Sequence, residues 1–254
     1  YNNMKDELKK IIKEFHERDL FETFEREIEI PFDSKKIITI IGPRRSGKTF
    51  LLHNLIKSIK DRTNVIYINF EDERINLGMK DLDLIFQAYF ELYPEKKEKD
   101  LFLFFDELQE VPGWEKFVRR VYDTITQKIF LTGSSAKLLS KEIATSLRGR
   151  TISYELYPLS FREYLEFRGI EVEQNTTKGL AKIKKEFNDY LFNGAFPELV
   201  NFRDELRRKS LNDYLDVMIY RDLIERYNLS NSSSLNEFVK KLLVNPAQEI
   251  SINK

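Results

Sequence analysis

The fold is decided by Lys36-Ile37-Ile38-Thr39-Ile40-Ile41 running directly into Gly42-Pro43-Arg44-Arg45-Ser46-Gly47-Lys48-Thr49. A short β-branched apolar run is followed by a Gly-x-x-x-x-Gly-Lys-Thr loop and then by a stretch of helical period, Lys48 to Lys60. This strand, loop and helix setting is the one in which that spacing forms a phosphate cradle. The glycines let the backbone curl so that successive amides face phosphate oxygens at the positive end of the following helix. Gly42, Pro43, Arg44, Arg45, Ser46, Gly47, Lys48 and Thr49 are thus the candidate nucleotide contacts. Lys48 offers a point charge to the β and γ phosphates, and Thr49 a hydroxyl to Mg²⁺.

Working outward, the first 156 residues alternate between short apolar runs and longer helix-period stretches, the pattern of a mostly parallel α/β sheet. Five strands are expected, at Lys36–Ile41, Val65–Asn69, Leu101–Phe105, Lys128–Leu131 and Thr151–Leu156. The intervening helices are expected at Lys48–Lys60, Leu82–Leu92, Trp114–Thr124 and Ala136–Leu147. Leu101-Phe102-Leu103-Phe104-Phe105 is apolar at every position, which predicts a strand covered on both faces. It delivers Asp106-Glu107 to the carboxyl edge of the sheet, where ligands bind. Asp106 would complete the Mg²⁺ shell with Thr49, and Glu107 would polarise the attacking water. Ser134, with Thr132 second, would present a hydroxyl at the same edge, unless these residues only cap the next helix. Asn69, ending the second strand, could pair with Glu107 or simply form a turn.

Arg148-Gly149-Arg150 closes the helix before the fifth strand. Gly149 suits a C-cap and arginines suit a helix C-terminus, so capping is one reading. The other is an arginine finger, Arg150 before Arg148, that meets the γ phosphate of a neighbouring subunit. Lys178, Lys182, Lys184 and Lys185, and Arg203, Arg207, Arg208 and Lys209, form local basic clusters, but interspersed acids make a solvated face the plainer reading.

Composition narrows the chemistry. Among 254 residues, 42 Lys plus Arg balance 42 Asp plus Glu, so no global basic field points to nucleic acid or membrane. Cysteine is absent and only His16 and His53 are present, which argues against thiolate or imidazole metal cages and for structural histidines. The apolar runs are too short to span a bilayer, and the first residues lack a signal-peptide pattern, so no membrane partner and a cytoplasmic location are expected. After Tyr157-Pro158 the sequence turns polar and helical, giving three expected parts: an α/β domain over 1–156, a helical lid over 157–230, and the start of a truncated winged-helix-like unit over 231–254. The last part reads as the opening of a further unit of a longer polypeptide.

These motifs resemble the archaeal ATPases of the AAA+ class, in which a P-loop domain precedes a helical lid, a winged helix and a nuclease-like domain. The resemblance rests on the phosphate loop, on Phe105-Asp106-Glu107-Leu108-Gln109-Glu110-Val111-Pro112-Gly113-Trp114, on Leu131-Thr132-Gly133-Ser134-Ser135-Ala136 and on Leu147-Arg148-Gly149-Arg150. Tyr157-Pro158-Leu159-Ser160-Phe161-Arg162-Glu163-Tyr164, Asn193-Gly194-Ala195-Phe196-Pro197-Glu198 and Tyr220-Arg221-Asp222-Leu223-Ile224-Glu225-Arg226-Tyr227 extend it, with Ala195 where a second glycine is usual. It implies a P-loop NTPase fold, ATP and Mg²⁺, and a homo-oligomer with its arginine finger acting in trans. Arg203, Arg207 and Arg221 compete as the lid arginine. The leading expectation is an ATPase doing conformational work on a macromolecular partner, DNA being one candidate. A slowly hydrolysing signalling switch and a small-molecule phosphotransferase are the alternatives.

Overall fold

The computed structural model describes residues 2–134, 145–173, 175–225, 227–230 and 232–244. Its sheet has five parallel strands in the order β2-β3-β4-β1-β5: β1 Ile37–Gly42, β2 Val65–Asn69, β3 Phe102–Asp106, β4 Ile129–Ser134 and β5 Thr151–Glu155. The expected parallel α/β sheet is therefore present, with β2 at its expected bounds and the other strands' ends displaced by at most three residues; in particular Asp106 belongs to β3 itself. The register sets Asn69 beside Asp106 and Gly42 beside Ser134, so the carboxyl ends of β1 to β4 share one edge.

Alternation along the strands builds two cores. Leu103 and Phe105 point to one face, where Leu8, Ile11 and Ile12 of α1 (Asn2–Glu17), Ile85 and Tyr89 of α3 (Leu84–Leu92) and Trp114, Phe117 and Val121 of α4 (Trp114–Thr124) cover them. Phe104 points to the other and stacks on Phe130, with centroids 4.6 Å apart, under Leu52 and Ile56 of α2 (Lys48–Lys57). The second core also takes Ile28, Ile30 and Phe32 from residues 18–36, an arm without helix or strand. Because β3 is buried from Leu103 to Asp106, each strand residue is fixed by packing on both sides. Trp114 is a packing residue in this core.

Helices α5 (Phe161–Phe167) and α6 (Thr177–Asn193) follow β5, joined by a small core of Leu159, Tyr164, Leu165, Ala195 and Val200. The chain divides into two compact units, Tyr1–Phe202 and Arg203–Lys254. The second contains α7 (Asp204–Val217), which continues as a π-helix over Met218–Glu225, and α8 (Ser232–Val244). Of the helix expected at Ala136–Leu147, residues 135–144 lie outside the described residues, as does 245–254. Among the described residues no helix is long and apolar enough to cross a membrane.

His53 of α2 is fully buried among Phe15, Phe21 and Tyr67, and neither ring nitrogen has a hydrogen-bond partner among the described residues. Burial, reinforced by Arg18 and Arg62, lowers its pKa from 6.5 to about 4. The unfolded chain thus binds this proton before the native one does, and stability falls as pH drops from 6.5 towards 4. At pH 5 the loss from this one group is about 2 kcal/mol. Urea unfolding at pH 7 and pH 5 should show it, and His53→Leu should flatten that slope; an equal slope in the variant would remove His53 as its cause.

Candidate nucleotide site

At the loop, sequence and backbone geometry meet. A Cβ on Gly42 would lie 2.1 Å from the Leu156 carbonyl oxygen, so only glycine lets β1 pass this close to the exit of β5. Gly47 caps α2 at φ 98°, a left-handed conformation that glycine adopts without penalty. Arg45 also has positive φ, at 65°. Between them Ser46 is fully buried and its Oγ has no partner among the described residues. Lys48 is 5% exposed, its ammonium donating to the carbonyls of Gly42 and Pro43 at 3.3 Å each and lying 3.4 Å from Glu107 Oε1.

The acidic pair meets the loop from β3. Asp106 is fully buried and accepts three hydroxyls: Thr49 Oγ1 at 2.7 Å and Tyr67 OH at 3.0 Å on Oδ2, and Thr132 Oγ1 on Oδ1. Burial pushes this carboxyl above its usual range; the hydroxyls of Thr132, Thr49 and Tyr67 pull it back, and the neighbouring Glu107 carboxylate raises it further. Burial first, and then the Asp106 charge, raises the Tyr67 phenol. Glu107 sits in the left-handed region at φ 55° and ψ 39°, a strained conformation for a side chain with a Cβ. Its backbone N–H donates to Thr132 Oγ1 at 3.0 Å, which holds that turn, and its Oε2 accepts from Gln109 Nε2.

The structure thus brings Lys48 to Glu107 and Thr49 to Asp106 at the carboxyl edge of the sheet. Thr132, the second choice for a hydroxyl at this edge, is the one bonded to both acids' positions; the backbone of Ser134 ends β4 opposite Gly42, and its side chain lies outside the described residues. Asn69 makes a turn, its Oδ1 accepting Glu71 N–H at 3.0 Å. Arg44 pairs with Glu71 at 3.0 Å and Arg45 with Glu198 at 3.2 Å.

Arg148 and Arg150 stand at the other edge of the sheet. Ile37 N–H donates to the Arg150 carbonyl at the amino end of β1, one strand length from the phosphate loop. The Arg150 guanidinium forks onto Asp123 near the end of α4 at 3.1 and 3.2 Å. Arg148, at φ 52°, is exposed. Arg203, Arg207 and Arg221 belong to the second unit, where Arg207 pairs with Asp204 at 2.9 Å.

Residues that the sequence did not single out complete the surroundings: Tyr67, whose hydroxyl reaches Asp106 from an apolar strand, and Arg26 of the arm. Arg26 Nη1 donates to the Ser46 carbonyl at 3.1 Å, and the same guanidinium forks onto Glu163 of α5. Glu163 would have been findable as the last residue of a Ser160-x-x-Glu163 capping box. Burial raises its carboxyl, but Arg26 and the amides of Glu27 and Ser160 outweigh that and hold it below the ordinary glutamate range.

The residues fit the groups that the loop implies. A buried cation, an unpaired buried hydroxyl and a loop with no room for a Cβ suit a polyphosphate, and the Thr49 hydroxyl with the Asp106 carboxylate is the hard oxygen pair that Mg²⁺ takes alongside phosphate and water. Among the described residues no group of three or more His, Cys, Asp or Glu could hold a metal by itself.

A family model described as an AAA domain matches residues 34–165. An uncharacterized protein of Methanocaldococcus jannaschii is 43% identical over 234 residues, covering 90% of this chain and 51% of its own. An uncharacterized protein of Haemophilus influenzae is 31% identical over 226 residues, covering 87% and 54%. This chain thus spans about half the length of these relatives. An uncharacterized ATP-binding protein of M. jannaschii is 34% identical over 99 residues, 35% of this chain and 27% of that protein. Among solved structures, the chain is similar to C. elegans PCH-2, with TM-score 0.42 and 14% identity over 87% of this chain and 68% of that one. It is also similar to the Thermotoga maritima RuvB Holliday junction branch migration motor, with TM-score 0.35 and 15% identity over 94% and 81%. With its parallel sheet, its phosphate loop and the match to the family model, the chain belongs to the AAA domain family of P-loop ATPases.

Proposed function

We propose that this chain binds ATP with Mg²⁺ and hydrolyses it to ADP and phosphate, in an oligomer whose neighbouring subunit completes the site. The observation that carries the reading is that the loop meets the acidic pair in two contacts, Thr49 with Asp106 at 2.7 Å and Lys48 with Glu107 at 3.4 Å. ATP is favoured as the nucleotide by the name of the relative described as ATP-binding.

Lys48 now divides its ammonium among two carbonyls and Glu107. A triphosphate in the loop is the stronger partner, so Lys48 turns to the β and γ oxygens and leaves the Glu107 carboxylate to accept a proton from the attacking water. Gln109 and the strained Glu107 backbone keep that carboxylate aimed. Thr49 and Asp106 would hold Mg²⁺, which neutralises charge on the transferring phosphate. Ser134 stands as a further hydroxyl for the γ phosphate, and Arg148 or Arg150 as the charge supplied in trans. Arg148 is the more exposed of the two, whereas Arg150 must first leave Asp123. The partner acted on is a macromolecule, with DNA one candidate; the segment 231–254 would open a winged-helix-like unit. This is an enzyme with a water-activating carboxylate rather than a phosphotransferase, which would need an acceptor pocket.

Glu107→Gln keeps the shape and loses the base. A fluorescent ATP analogue should bind as tightly as to the unchanged chain while phosphate release drops roughly 100-fold or more; undiminished release would place water activation elsewhere. Arg148→Ala and Arg150→Ala should each be mixed with the Glu107→Gln chain, because mixed interfaces then contain one complete site. Whichever arginine is the finger loses up to roughly 1000-fold in turnover alone and recovers in the mixture. If neither variant loses turnover, or mixing restores none although mixed oligomers form, the arginines only cap.

A further inference from the structure

Arg26 lies in an irregular arm ahead of the phosphate loop and outside every nucleotide motif, yet its side chain is only 8% exposed. Nε and Nη2 donate to Glu163 Oε1 and Oε2 at 2.8 and 3.0 Å, Nη2 also donates to the Tyr157 carbonyl at 2.8 Å, and Nη1 donates to the Ser46 carbonyl at 3.1 Å. One planar group therefore touches the phosphate loop, the exit of β5 and helix α5. Glu163 passes the link on: it accepts Glu27 N–H and Ser160 N–H at 2.8 Å each, closing the capping box that starts α5. The pair is buried on both sides, 8% and 5% exposed, so solvent neither screens nor replaces it.

The geometry makes the link sensitive to what the loop holds. In a trans peptide the carbonyl and the following N–H point in opposite directions, so fixing the Ser46 carbonyl fixes the aim of Gly47 N–H, one of the loop amides. Conversely, any turn of that peptide to meet a phosphate moves the acceptor of Nη1. A guanidinium cannot bend at one nitrogen alone, and the motion passes to Glu163 and Tyr157. A second contact runs in parallel, since Arg45 of the loop pairs with Glu198 beyond α6, but its side chains are 59% and 50% exposed and it contributes little.

We propose that Arg26 is a positioning residue that couples phosphate seating in the loop to the orientation of α5 through the Glu163 fork. The proposal rests on the phosphate-binding reading above. It gives Tyr157-Pro158-Leu159-Ser160-Phe161-Arg162-Glu163 a role: the receiving end of that linkage.

Hydrogen exchange of the chain with and without Mg²⁺ and AMP-PNP, an ATP analogue that resists hydrolysis, tests it. In the unaltered protein, exchange should slow about 10-fold in both 46–49 and 159–170. In Arg26→Lys, which keeps the charge but loses the fork, and in Glu163→Gln, which keeps the cap's shape, 46–49 should still slow while 159–170 changes less than about 2-fold. Turnover at saturating ATP should drop about 10-fold in these variants with affinity changed less than about 3-fold, a split that plain loss of stability does not produce. A response of 159–170 in either folded variant equal to that of the unaltered protein overturns the coupling. So does an unaltered protein in which 46–49 responds and 159–170 does not, a result that needs no variant to fold. If neither stretch responds in the unaltered protein and AMP-PNP does not bind, the phosphate-binding reading fails and the coupling with it.

Discussion

The site is organised around one buried carboxylate. Asp106 has no exposed surface, and a buried charge of this kind costs several kcal/mol unless its oxygens are hydrogen-bonded. Here the hydroxyls come from three different elements: Thr49 from α2, Tyr67 from β2 and Thr132 from β4. Satisfying the carboxylate thereby fixes the start of the loop helix against two strands, and Thr132 uses the same hydroxyl to accept Glu107 N–H. The left-handed turn at Glu107 is held in this way, and it aims a second carboxylate at Lys48. Without Asp106, Thr49, Tyr67 and Thr132 would lose their shared acceptor.

The flanking parts extend the same logic outward. Gly42 lies against the Leu156 carbonyl, so the loop starts where β5 leaves the sheet. The arm then crosses that junction and Arg26 binds it on three sides. The phosphate loop and the start of α5 are thus joined at one peptide, Ser46–Gly47. The two arginines at the opposite edge of the sheet cannot reach this loop within one chain, because a whole length of β1 separates them. Arg150 is spent on Asp123 within the chain, while Arg148 is exposed.

Much of this was legible in the sequence where local pattern and burial agree. The run Leu101–Phe105 is apolar at every position because both its faces are packed, and the loop spacing states its own geometry. What the sequence hid lies in contacts between distant residues. Tyr67 reads as an ordinary strand aromatic, since nothing local shows that its hydroxyl meets a carboxylate 39 residues away. Arg26 and Glu163 are 137 residues apart, and the arm has neither helical nor strand period to draw attention to it. Thr132 meets Asp106 through the sheet register, Leu131 lying beside Phe105, and no local pattern shows that pairing.

The central claim is that Asp106 and Glu107 divide the labour of holding a metal and activating water. Phosphate release from ATP with no acceptor added, followed over many turnovers in Mg²⁺ and then after chelation, tests it most directly. The account predicts steady release that stops when Mg²⁺ is removed and resumes when it is restored. ATP left intact in Mg²⁺, or release that continues unchanged in a chelator, would contradict it.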